Sequence, residues 1–84
     1  MIVEQMVENV RSKEDFINFI QELSNDFKSN IKSWENRSVD NYLEAIADWV
    51  EGMDNYYINM NKPVPQNIHW KVLADIFMAA KMYE

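Results

Sequence analysis

The stretch from Trp70 to Tyr83, W-K-V-L-A-D-I-F-M-A-A-K-M-Y, decides how the rest of the chain must be arranged. Only Lys71, Asp75 and Lys81 interrupt its apolar run, and it contains neither glycine nor proline. At about 100° per residue, Trp70, Leu73, Ala74, Phe77 and Ala80 share one side of a helix. Val72, Ile76, Ala79 and Tyr83 cover the adjoining flank and leave a narrow wet strip at Lys71 and Asp75. A helix apolar over most of its circumference has to be covered on more than one side. It is too short and too interrupted to cross a bilayer. The spacing predicts a helix over residues 68–83, capped by Asn67 and sheltered by what precedes it.

Two amphipathic segments upstream can supply that shelter. Ser12 is placed as an N-cap with Asp15 three residues on, a variant of the capping box. Behind it Phe16, Phe19, Ile20, Leu23 and Phe27 form an apolar stripe while Glu14, Glu22 and Asp26 face away, which predicts a helix over residues 13–28. Ser38 starts the next one, with Asp40 in its first turn. Its apolar positions are Tyr42, Leu43, Ile46, Val50 and Met53, with Trp49 at the edge, and Gly52 is the expected stop, giving residues 39–52. Val3, Met6, Val7 and Val10 mark a weaker helix over residues 2–10, too short to persist without packing.

The connections differ in character. Between the two amphipathic helices, Ser29 to Arg37 is polar except for Ile31 and Trp34, and an aromatic so placed usually plugs a gap between helices. Residues 54–66, D-N-Y-Y-I-N-M-N-K-P-V-P-Q, combine turn formers and a Pro-x-Pro with apolar bulk, so the segment reads as a long loop packed on the core. A strand over residues 57–60 would have no partner. The fold class that follows is all-α, a compact single-domain array of three to four helices with a long packed loop before a buried C-terminal helix.

With 84 residues the chain has room for one small core, and its 48% hydrophobic content suffices to build one. A net charge of −6 is unsuited to phosphate backbones and to anionic bilayers, so neither nucleic acid nor membrane is expected as a partner. Without cysteine there is neither a disulfide framework nor a thiolate metal site. The opening M-I-V-E-Q-M-V-E-N-V has acids where an export signal needs positive charge, and the expected location is the cytoplasm.

The inventory for catalysis is thin. His69 is the single histidine, at a helix start, and no serine lies in a strand-turn-helix elbow; one glycine cannot make a phosphate loop. Glu44, Asp48 and Glu51, at i, i+4 and i+7, could meet a cation such as Mg²⁺, but acids opposite an apolar stripe normally form a solvated face. No catalytic residue, metal site or cofactor is assigned. What remains is interaction. Asp40, Glu44, Asp48 and Glu51 fall within an arc of about 80° and should project a negative potential toward a basic partner. Trp34, Tyr56 and Tyr57 are the aromatics offered as partly exposed anchors, which interfaces favour, although for each a place in the core weighs more.

The pattern S-K-E-D-F-I-x-F-I-x-x-L from Ser12, W-E-N at Trp34 to Asn36, Y-L-E-A-I-A-x-W from Tyr42 to Trp49, Tyr56-Tyr57, Pro65, Trp70 and Tyr83-Glu84 resembles a family of small bacterial proteins known only as a domain of unknown function. The resemblance implies a cytoplasmic bacterial protein with a compact helical fold, and it carries no activity, cofactor or catalytic residue. The functional expectation therefore rests on the residues. It is a non-catalytic, acidic protein-binding module, in one form an inhibitor or immunity-type protein acting on a basic partner such as a nuclease toxin. The alternatives are a small-ligand binder with a pocket between the C-terminal helix and the 54–66 loop, and a structural homodimer.

Overall fold

The computed structural model describes residues 3–83, which form four α-helices and one 3-10 turn, with no strand among them. α1 spans Val3–Val7, α2 Lys13–Ser29, α3 Val39–Asn59 and α4 Trp70–Ala80, with the 3-10 turn at Ile31–Ser33. The weak N-terminal helix is thus shorter than expected; Val10 is buried just past its end, and residue 2 lies outside the described residues.

α2 begins as its sequence requires. The Ser12 hydroxyl oxygen accepts from the Asp15 amide at 3.1 Å, and the Asp15 carboxylate turns back to accept from the Arg11 amide at 3.1 Å. Two donors of the first turn's surroundings are satisfied reciprocally, which fixes the entry of the chain. Phe19 and Leu23 are buried, and Phe16, Ile20 and Phe27 are half-buried along the same stripe.

α4 lies between two hydrophobic clusters. Ala74 belongs to the cluster that α1 and α2 build around Phe19, Leu23 and Trp34. Val72 and Ile76 belong to the one formed with Trp49 and Tyr57 of α3. No residue of α4 is exposed, which is the shelter its composition demands. Its far end is closed by the connector. The carbonyl of Lys81 accepts from the Glu35 and Asn36 amides at 3.1 and 3.3 Å, and Asn36 Nδ2 donates to the carbonyls of Ala80 at 2.8 Å and Tyr83 at 2.6 Å. The W-E-N segment therefore caps the last helix, supplying donors to carbonyls that the helix itself leaves unpaired.

Three boundary expectations are corrected. Gly52 does not stop α3. It sits on the exposed side of a continuous helix without a positive φ, and the true stop is Asn61 at φ 58°. There the Lys62 amide donates to the Tyr57 carbonyl at 2.9 Å and the Asn61 amide to that of Ile58 at 3.1 Å, a Schellman arrangement with Asn61 in the left-handed position. Consequently most of the segment expected to be a 54–66 loop is helix, and the irregular connection runs over residues 60–69. α4 begins at Trp70, not at residue 68, and the residue at its N-cap is His69, not Asn67.

Candidate functional site

α3 carries the acidic strip. Ser38 takes the extended backbone of an N-cap, its oxygen accepting from the Asn41 amide at 3.4 Å while its hydroxyl donates to Asp40 Oδ1 at 2.7 Å. That bond, with the Asn41 amide, holds the Asp40 carboxyl below the usual aspartate range. Asp40, Glu44, Asp48 and Glu51 are all exposed, on the side of the helix turned away from Ala45 and Trp49. Along its 21 residues α3 also bears Asp54, and it has no Lys, Arg or His.

The buried face of α3 differs from expectation. Ala45, Trp49 and Tyr57 point inward, while Leu43 is 57% and Val39 77% exposed, and Val50 is exposed as well. The helix is turned by roughly 60° from the orientation its apolar pattern suggests. Trp49, expected at the edge, fills the space against α4 and carries Tyr57 edge-on at 6.4 Å. The turn leaves Val39, Leu43, Ala47, Val50 and Ile58 as an exposed apolar stripe, within an arc of about 100°, directly beside the acids. Sequence reasoning missed this stripe because it counted Leu43 and Val50 as core.

Of the three aromatic candidates, Trp34 and Tyr57 take the core alternative and not the exposed one. Trp34 is 6% exposed and plugs the gap between helices, its indole N–H donating to Asp26 Oδ2 at 2.8 Å and its ring meeting Phe27 edge-on at 5.1 Å. Tyr57 is buried and its hydroxyl donates to Asp75 Oδ2 at 2.6 Å. Burial, and then that acceptor, push the Tyr57 phenol pKa well up; burial does the same for Tyr42, whose hydroxyl donates to the Phe77 carbonyl at 2.7 Å. Neither Trp34 nor Tyr57 can act as a surface anchor, because large aromatics in these positions close the core. Tyr56 is exposed, but it leans on Trp49 at 5.4 Å and lines a cleft with Val7 and Met78, away from the acidic strip.

Charges expected to face water are also drawn in. Lys81 is 3% exposed; its ammonium lies 2.9 Å from Asp26 Oδ2, 3.5 Å from Glu4 Oε1 and 5.6 Å from the centre of the Trp34 ring. Asp26, read as facing away, is half-buried and is the counter-ion. Lys71 and Asp75, expected as a wet strip, are paired at 2.6 Å and half-buried beneath Tyr57. Among the described residues no group of three His, Cys, Asp or Glu side chains is placed to hold a metal ion, and no helix is long and apolar enough to cross a membrane.

Comparison with known proteins agrees with the resemblance seen in the sequence. Residues 12–84 match a family described as a family of unknown function, DUF7660. No curated protein and no solved structure matches the chain. The match begins at the N-cap of α2, so α1 and its buried valines lie outside it.

Proposed function

This chain belongs to that family of unknown function, and we propose that it is a non-catalytic protein-binding module whose α3 face docks a basic partner. The observation that carries the reading is the pairing, on one exposed helix side, of five acids and no base with an uncovered apolar stripe. Apolar contact supplies the affinity of most interfaces, while surrounding charge sets encounter rate and partner choice. A partner of matching chemistry is a basic amphipathic helix, its apolar side laid along Leu43 and Val50 and its cations over Glu44, Asp48 and Glu51. An inhibitor or immunity-type protein acting on a basic toxin is one concrete form. A second copy of the chain is disfavoured, since α3 against α3 would set acid on acid with no base to separate them. The same reading sets the protein in the cytoplasm, where a chain without cysteine is at home.

The test compares the wild-type chain with the charge-reversed variant Asp40→Lys, Glu44→Lys, Asp48→Lys and Glu51→Lys. A partner recovered from the source cell at low salt is identified and its association followed by stopped flow against ionic strength. Charge reversal is expected to slow association by about ten- to a hundredfold and to flatten its salt dependence. Leu43→Ser with Val50→Ser is expected to speed dissociation and leave the salt dependence intact. Recovery of no partner, or equal association by wild type and charge-reversed chain, would overturn the proposal.

A further inference from the structure

Where the chain leaves α1 and where it enters α4, the surface opens into a cleft of about 490 Å³. Arg11, Lys62, His69 and Lys71 line it, against Glu8 as the one carboxylate of the lining. Three of the chain's eight Lys and Arg residues, and its only histidine, thus converge on one place in a protein of net charge −6. Lys71 already has partners in Asp75 at 2.6 Å and Glu8 at 3.9 Å. Arg11 and Lys62 are exposed and make no ion pair among the described residues. In a chain with fourteen acids, three cations around one concave space, two of them without an ion-pair partner among the described residues, make a place that draws anions.

The other walls add to this. His69, at the N-cap of α4, makes no side-chain capping bond, and the first turn of that helix holds no acid, so the helix itself leaves its positive end uncapped. Trp70 adds an aromatic ring to the lining, and that ring packs on Phe16 at 5.6 Å between ring centres. No residue of α3 takes part, so the cleft is independent of the docking face proposed above.

We infer that this cleft binds a small organic phosphate, with the phosphate held between Arg11, Lys62 and the start of α4 and the organic part laid against Trp70. A phosphate monoester, close to a dianion at neutral pH, matches the two free cations in charge. The guanidinium can meet two of its oxygens at once while the lysine acts as a point charge. A flat ring on the same molecule gains contact with the indole face.

The experiment is an amide and indole NMR titration of the full chain with inorganic phosphate, with adenosine monophosphate as a phosphomonoester carrying a flat ring, and with adenosine. Saturable shifts are expected at the amides of Trp70 and Lys71 and at the Trp70 indole, with the monophosphate binding about tenfold or more tighter than inorganic phosphate. Arg11→Ser with Lys62→Ser, both at exposed positions, is expected to weaken the monophosphate by roughly tenfold or more. The control Lys28→Ser with Lys32→Ser removes the same charge from exposed sites outside the cleft and should leave binding unchanged. Any of three results would overturn the inference: shifts that do not saturate by about 20 mM monophosphate, equal weakening by the two double variants, or a monophosphate no tighter than inorganic phosphate.

Discussion

Replacing Asp26 with asparagine removes the principal counter-charge of Lys81, the one buried charged residue among those described. Breaking a fully enclosed ion pair by removing one partner costs about 3–5 kcal/mol, because the other charge is left without water or counter-ion. Two features reduce that here: the Asp26 side chain is 19% exposed, and Glu4, 55% exposed, stays within 3.5 Å of the ammonium. We expect Asp26→Asn to lose about 2 kcal/mol, which for a domain of this size is a fall in Tm of about 8–16 °C. Lys81→Met keeps most of the stem packing and leaves Asp26 with the Trp34 N–H and some water, so its loss should be nearer 1 kcal/mol. The double variant has neither charge and should lie close to Lys81→Met alone, a coupling energy of about 1.5–2 kcal/mol.

The same pair predicts an acid limb. Burial raises the Asp26 pKa, but the bonds from Lys81 and Trp34 outweigh it and hold the carboxyl below the usual range. With the folded value below the unfolded one, the stabilisation is complete above the unfolded pKa of about 3.9 and is lost as pH falls from there through the folded value. The gap between wild type and Asp26→Asn should be constant near neutrality and shrink below about pH 4. Urea titrations followed by tryptophan fluorescence at pH 7, and melts in steps down to pH 3, measure both effects. A variant within about 0.5 kcal/mol of wild type at pH 7, or a double variant equal to the sum of the singles, refutes this account of the cluster.

Two further outcomes test the corrected boundaries and the buried phenols. A Cβ at Gly52 would meet nothing within 4 Å, so Gly52→Ala should stabilise by about 0.5–1 kcal/mol in chemical denaturation, whereas Asn61→Val, forced to positive φ, should cost about 1–2 kcal/mol. Were Gly52 the stop, those signs would be exchanged. In an alkaline titration read by ultraviolet absorbance, Tyr42 and Tyr57, two of the chain's four tyrosines, should ionise only with unfolding. Ionisation of Tyr42 and Tyr57 while circular dichroism still shows the folded helices would contradict the burial described.

Much of the architecture could be read from periodicity because it depends on local rules. The stripe Phe16, Phe19, Leu23 and the cap at Ser12 specify α2 from within about three turns, and the structure repeats them. α3 shows where such rules stop. Glycine is a common helix stop but stops a helix only where the backbone turns left-handed, and at Gly52 the packing of Tyr56 and Tyr57 beyond it on Trp49 before it favours continuation. Asn61, followed by Pro63, carried the usable signal for the true end. The candidate site was legible in its charges and not in its apolar half, because a helical wheel does not say which arc a neighbouring helix will cover.

From the sequence alone came an all-α chain, the apolar encirclement of its last helix, the two N-caps and the acidic strip. Each is a property of residues a few positions apart, whose side chains are placed by helix geometry whatever surrounds them. Only the tertiary structure decided that Lys81 is enclosed with Asp26, that Trp34 and Tyr57 are core, that Leu43 and Val50 are bare, and that Arg11 and Lys62 line one cleft. Those outcomes join residues as many as 55 positions apart. Their energies come from desolvation and packing, which depend on what the fold brings alongside and are invisible to any local pattern.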